Sequence, residues 1–195
     1  MSRQPIRLGP TSYMILGMIA LRGPSTPYEL KRAVGRSVGY FWHFPHSQLY
    51  DEPERLAVAG LLREEREEGG RHRRTYSLTS EGQRALEAWL RRPTGDAMEI
   101  QDLAQLQLFY SEYATRNDLI ALADAQIAIY RQRLAEFDAI VRRNAGRAGI
   151  ERRMAPLELG IRTYQAALDF WLALRANPPG DDREREPAGE AGPAP

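Results

Sequence analysis

The sequence predicts a mainly α-helical chain with a small β-wing: a winged helix-turn-helix domain over residues 1–92, an α-helical domain over 96–177 and a disordered tail over 178–195. Three observations carry this reading. The first half runs helix, helix, helix, strand, strand, helix. The second half holds two long helices with apolar seams at heptad spacing. Charge divides along the same line, with 15 Lys/Arg against 10 Asp/Glu in residues 1–95 and 12 against 16 in residues 96–195.

The first helix is "TSYMILGMIAL", capped by Thr11 or Ser12 and apolar all round, hence buried. "RGPS" breaks it. In "TPYELKRAV", Thr26 is an N-cap, Pro27 takes the first helical position and Glu29 the third, a helix-start signature. Gly35 and Gly39 bracket its exit, and "YFWHFP" reads as a core aromatic cluster. The third helix runs from about His46 to Ala59 with Leu49, Leu56 and Ala57 as its core face, and Gly60 stops it. Pro53 inside it predicts a kink or a late start. "LLREERE" and "RTYSLT" form a hairpin around Glu68-Gly69-Gly70-Arg71, with Tyr76 and Leu78 facing inward. Thr79 or Ser80 caps a helix to about Leu90, and Pro93-Thr94-Gly95 is a linker.

In the second half "EIQDLAQLQLFYSEY" reads as one helix. The next begins near Asn117 or Asp118, with Ile120, Ala123, Ile127, Tyr130, Leu134, Phe137 and Val141 as its seam. The last begins near Pro156, with Leu157, Ile161, Tyr164, Leu168 and Trp171 as its seam. Such seams pack on each other within a chain or cross to a second copy. The second is favoured here, because a one-domain monomer has little use for an appended helical hairpin.

Composition narrows the function. There is no cysteine, so no disulfide framework or thiolate metal site. His43 and His46 have ligand spacing but lack a carboxylate beside them, so no metal or other cofactor is expected. No Gly-rich phosphate loop, no Ser-His-acid arrangement and no paired carboxylates in an apolar setting occur, and an enzyme is unsupported. The longest apolar run, Tyr13–Leu21, is too short to span a bilayer and no signal-peptide pattern precedes it, so no membrane is expected as partner and the cytoplasm is the expected location. Lys31 is the only lysine among 27 basic residues.

What remains is nucleic-acid chemistry. A third helix of this kind fits the major groove, and Ser47, Gln48, Tyr50, Asp51 and Arg55 fall away from its leucine face. Glutamine can pair with adenine through two hydrogen bonds. "RHRR", Arg71 to Arg74, sits where a wing approaches phosphate, and arginine presents a planar fork that keeps its charge. Glu64, Glu65, Glu67 and Glu68 on the other strand either face away or pair across the hairpin in a charge ladder that neutralises the wing. The alternative function is a winged-helix protein-interaction module without DNA binding.

The segments "ILGMIALRGPSTPYELKRAV", "FWHFPHSQLYDEPERLAVAGLL" and "GRHRRTYSLTSEG" resemble the PadR family of bacterial transcriptional regulators over about residues 8–92. The helices that follow resemble the longer C-terminal domain of one branch. The resemblance implies a homodimer with two winged heads, binding a palindromic double-stranded operator as a repressor released by a small effector. It places DNA contacts at Thr26 and Tyr28, at Ser47, Gln48 and Tyr50, and at Arg71, Arg73 and Arg74. For a flat phenolic or amphipathic effector, the aromatic faces of Tyr110, Tyr113, Tyr164 and Trp171 are the candidates, although Tyr164 and Trp171 also lie on the last helix's seam.

Overall fold

The structure, a computed structural model, describes residues 6–42, 45, 47–67 and 73–179. Helix α1 (Pro10–Arg22) starts earlier than Thr11 or Ser12: its N-cap is Gly9, with Pro10 at the first position. Proline has no N–H to satisfy there and its fixed φ suits a helix start. Ser12 still serves the cap from inside, accepting the Gly9 N–H at 3.1 Å. α1 buries Ser12, Ile15, Leu16, Met18 and Ile19 but exposes Leu21, so it is a one-sided core helix and not apolar-buried all round.

α2 (Pro27–Gly35) is capped as its sequence requires: the Thr26 N–H donates to Glu29 Oε2 at 2.8 Å and the Glu29 N–H to Thr26 Oγ1 at 3.3 Å. A 3-10 turn (Val38–Tyr40) leads towards α3 (Gln48–Val58). Phe41 and Trp42 are 63% and 44% exposed and do not belong to the core. Ile15, Ile19, Leu30, Val34, Leu49, Leu56 and Tyr76 close that interior without them. His43, Phe44 and His46 lie outside the described residues. α3 begins well before Pro53 and runs through it as one helix, with the proline ring buried. The cost is the missing N–H at that position. Gly60 ends the segment in a left-handed conformation at φ 80°.

Strands β1 (Leu62–Arg66) and β2 (Arg74–Leu78) pair antiparallel from Leu62↔Leu78 to Arg66↔Arg74. The proposed tip, residues 68–72, is outside the described residues. Ser25, just before α2, adds a third rung. Its N–H and carbonyl exchange hydrogen bonds with Tyr76 at 3.0 and 2.9 Å. Tyr76 is buried and Leu78 half-buried. α4 (Ser80–Leu90) is capped by Thr79, whose hydroxyl accepts from Gly82 N–H at 3.0 Å and lies 2.8 and 2.9 Å from the Gly60 and Leu61 carbonyls. α4 returns to α1, where Trp89 stacks on Tyr13 with ring centroids 4.6 Å apart.

A polar knot fixes α3 against α1. Ser12 is 1% exposed; its hydroxyl donates to Glu52 Oε1 at 2.5 Å and accepts from Arg55 Nη2 at 3.1 Å. Arg55 grips Glu52 with two further bonds of 2.7 and 2.5 Å and reaches the Arg7 carbonyl at 3.3 Å. Arg55 therefore belongs to the scaffold and is not among the freely exposed groups of α3. Burial pushes the Glu52 carboxyl up, but the Arg55 fork, the Ser12 hydroxyl and the Arg55 charge outweigh it and hold the group below its ordinary value.

The chain divides into two units, Met1–Ala97 and Met98–Pro195. In the second, α5 is only Leu103–Phe109, shorter than the sequence suggests, because Asp102 caps it by accepting the Ala104 N–H at 2.8 Å. A 3-10 turn (Ser111–Tyr113) separates it from α6 (Arg116–Asn144), which a Thr115–Asp118 capping box starts. α7 (Glu151–Ala176) starts before Pro156 and passes through it. α6 and α7 lie antiparallel: Ala123 and Ile127 bury with Leu168, Trp171 and Ala104, Tyr164 meets Tyr130 and Phe137 edge-on, and Asp124 pairs with Arg175. The two seams thus meet within one chain. The α6 seam is displaced by one residue at its start, where Leu119 is buried and Ile120 only half-buried. Among the described residues no helix is long and apolar enough to cross a membrane. From residue 180 the proposed tail is outside the described residues.

Two outcomes follow for stability. A carboxyl held below its unfolded value of about 4.3 stabilises above that pH, and the stabilisation drains as pH falls through the folded value. Acid melting of the winged unit, read from the near-ultraviolet circular dichroism of its aromatic residues, is expected to depend less on pH in Glu52→Gln than in wild type below about pH 4.5. At Gly82, a Cβ would sit 2.1 Å from the Leu61 carbonyl oxygen, a backbone atom that cannot swing away. Gly82→Ala is expected to cost about 2 kcal/mol or more in urea unfolding; an unchanged midpoint refutes that packing.

Candidate nucleic-acid interface

The winged unit presents an open groove of about 580 Å³ where the start of α2, the exposed face of α3 and the start of β2 converge. Thr26, Tyr28, Glu29 and Arg32 line one side, Tyr50 the second, and Arg73 and Arg74 the third. Each is placed by the fold. Pro27 and the capping box fix the start of α2, so Tyr28, in its first turn, points outward and is 62% exposed. Tyr50 is 47% exposed because Leu49 beside it is buried. Ser25 and Tyr76 pin β2 to the entrance of α2, which brings Arg73 and Arg74 across to the helices.

The charges here are paired. Arg73 Nη2 donates to Glu29 Oε1 at 2.6 Å. Arg74 Nη1 donates to Glu54 Oε2 at 2.9 Å, and its Nε lies 3.5 Å from Glu64 Oε1. The Tyr76 hydroxyl and the charges of Glu54 and Glu64 hold the Arg74 guanidinium still more firmly protonated than usual. The backbone N–H and the hydroxyl of Thr26 pull the Glu29 carboxyl below its ordinary range, and Arg73 adds to this. Burial pushes the Tyr76 phenol up, against the pull of Arg74. Arg32 lies over the Tyr28 ring at 5.9 Å from its centroid, within cation–π range.

The groove brings together Thr26, Tyr28, Tyr50, Arg73 and Arg74 of the residues singled out from sequence. Thr26 is buried and its hydroxyl is used by the cap. Ser47 and Gln48 are exposed at the start of α3, but Gln48 Oε1 already accepts the Thr11 hydroxyl at 2.8 Å. Arg71 lies outside the described residues. Of the wing glutamates, Glu64 does pair across the hairpin with Arg74, and Arg66 joins it at 2.6 Å on the same oxygen. The other arginine partners, Glu29 and Glu54, come from the helices. Sequence reasoning missed them, and only the three-dimensional return of β2 onto α2 and α3 reveals them.

The aromatic residues proposed for an effector are dispersed in role. Trp171 is buried and contacts Phe170 edge-on, while Tyr164 is half-buried between Tyr130 and Phe137. Burial pushes the Tyr130 phenol up, with the Asp102 charge acting the same way and a hydrogen bond involving Trp171 opposing it. Tyr110 and Tyr113 are exposed, with Tyr110 edge-on to Phe109. Among the described residues no group of three or more His, Cys, Asp and Glu side chains could hold a metal ion.

Residues 15–88 match the sequence profile of the transcriptional regulator PadR-like family. The negative transcriptional regulator PadR of Bacillus subtilis (strain 168) is 25% identical over 126 residues, which is 64% of this chain and 69% of that protein. The crystal structure of Bacillus subtilis PadR in complex with operator DNA is similar over 85% of this chain and 96% of that one, with a TM-score of 0.76 and 20% identity. The same protein in complex with p-coumaric acid is similar over 87% and 97%, with a TM-score of 0.71 and 19% identity.

Proposed function

We propose that this chain, whose residues 15–88 belong to the transcriptional regulator PadR-like family, is a homodimeric repressor that grips operator DNA with its winged unit and releases it when a small aromatic ligand binds its helical unit. The observation that carries the reading is the groove in which Tyr28, Tyr50, Arg73 and Arg74 converge from three elements. Arg73 and Arg74, with Arg71 beyond them, take phosphate. Ser47, Gln48 and Tyr50 face base edges, and Tyr28 and the N-terminal turn that Thr26 caps approach the backbone. Because Gln48 Oε1 is engaged by Thr11, two-bond recognition of adenine requires that bond to open; with it closed, Gln48 reads an acceptor through its amide NH2 alone.

A dimer matches a palindromic site, since two-fold protein symmetry reads two half-sites. With the α6 and α7 seams used within the chain, the dimer surface draws on other apolar side chains of the helical unit. Leu106, Phe109, Ile129, Leu159 and Phe170 are all exposed there. The relative solved with p-coumaric acid supports a phenolic effector. In this chain Tyr110 and Tyr113 offer exposed faces, and entry beside Tyr164 or Trp171 repacks the helix pair, which is a route from ligand to altered helix geometry.

Selection of duplexes from a random library followed by gel shift tests the reading. The wild-type chain is expected to enrich a palindrome. Arg73→Ala/Arg74→Ala is expected to weaken all duplexes alike and flatten the log–log salt slope by about 0.9 per lost phosphate contact. Gln48→Ala is expected to cost about 1–3 kcal/mol on the enriched site only. A chain that shifts no duplex at moderate salt returns the protein to the class of interaction modules. Sedimentation as a monomer at micromolar concentration removes the dimer. A phenolic acid that leaves the gel shift intact removes the effector.

A further inference from the structure

Of the three guanidiniums lining the groove, those of Arg73 and Arg74 are already held by carboxylates, while Arg32 lies over the Tyr28 ring. Arg73 holds Glu29 at 2.6 Å, Arg74 holds Glu54 at 2.9 Å and Glu64 at 3.5 Å, and Arg66 holds Glu64 at 2.6 Å. The two wing arginines of the groove are thus matched by three carboxylates, one of which, Glu64, Arg66 shares. Carboxylate and phosphate compete for the same planar fork of N–H donors. Glu54 is half exposed and accepts from Arg74, itself at the surface, so the core does not need its charge. Glu29 spends Oε2 on the cap of α2 and keeps Oε1 for Arg73. Its carboxyl is held below the usual range, first by the Thr26 N–H and hydroxyl and then by Arg73.

We propose that Glu29, Glu54 and Glu64 are specificity-determining residues, standing in for DNA phosphate on the wing arginines of the free protein so that backbone contact is an exchange of ion pairs. The proposal rests on the DNA-binding reading above. Non-specific binding comes almost wholly from phosphate charge. A passing duplex therefore meets two wing arginines whose charges are already matched by carboxylates. A duplex held in register by contacts to Ser47, Gln48 and Tyr50 keeps its phosphates within hydrogen-bond distance, where a doubly bonded arginine–phosphate pair can replace an exposed arginine–carboxylate pair worth little in water. The same carboxylates hold the forks in place until then, which lowers the ordering cost on binding. The glutamates thus suppress unspecific capture more than operator capture.

The test uses the full chain, a duplex enriched by the wild-type protein and a scrambled duplex of equal length, with affinity read by fluorescence anisotropy at low and moderate salt. The variants are Glu54→Gln alone and Glu29→Gln/Glu54→Gln; glutamine retains an acceptor for the α2 cap, and unchanged melting temperatures check the fold. Glu158→Gln, in α7 beside Arg162, is the control for net charge. Removing two nearby like charges is expected to raise affinity for the scrambled duplex by about tenfold at low salt, raise operator affinity less, and so lower the ratio, with Glu158→Gln changing little. The proposal is overturned if scrambled-duplex affinity does not rise in either variant, if both affinities fall, or if Glu158→Gln has the same effect. A wild-type chain that prefers neither duplex overturns the DNA-binding reading itself.

Discussion

A serine hydroxyl shut away from water decides where the third helix lies. The Ser12 hydroxyl accepts from the Gly9 N–H at the start of α1, but its buried donor is satisfied by Glu52, which Arg55 in turn holds, and those two side chains are one helical turn apart on α3. An unpaired polar atom at that depth costs about 1–3 kcal/mol, so the arrangement is held from both sides. The angular position of α3 about its own axis is thereby set. Leu49 and Leu56 turn inward, and Ser47, Gln48 and Tyr50 turn outward. The groove exists because this roll is fixed.

The wing is anchored with equal economy. Two backbone hydrogen bonds between Ser25 and Tyr76 tie it to the entrance of α2, and the buried Tyr76 ring keeps it from sliding. Rigid placement brings cations and anions together on one face, and that face is not simply basic. The first half of the sequence carries an excess of arginine, but Arg73 and Arg74 are paired with Glu29, Glu54 and Glu64.

Most elements were legible because their signals are local. Thr26, Pro27 and Glu29 announce α2 within four residues, and Thr79 does the same for α4. The misjudged points were those where a long-range contact overrides a local rule. Pro53 suggested a kink or a late start and Pro156 a helix start; both sit inside helices that begin earlier, so neither proline marks a start. Phe41 and Trp42 looked like core by type but face solvent, because the interior was filled by residues distant in sequence. The heptad spacing on α6 and α7 was read correctly as a seam, but spacing alone carries no information about which chain supplies the other side. At the groove, residue types on α3 and β2 pointed to nucleic acid, whereas the role of the glutamates depended on a strand returning to two helices.

The intramolecular seam between α6 and α7 also bears on how the protein comes into being. Six residues, 145–150, connect the two helices, so their contacts close a short loop and need little search. Chains dominated by such near-neighbour contacts fold fast. The helix pair can zip up as soon as its second half leaves the ribosome, with no second copy at hand. Any association between copies then joins preformed surfaces, and its rate scales with protein concentration while folding does not. A chain built this way keeps its hydrophobic seams covered at any concentration, even when a second copy is far away.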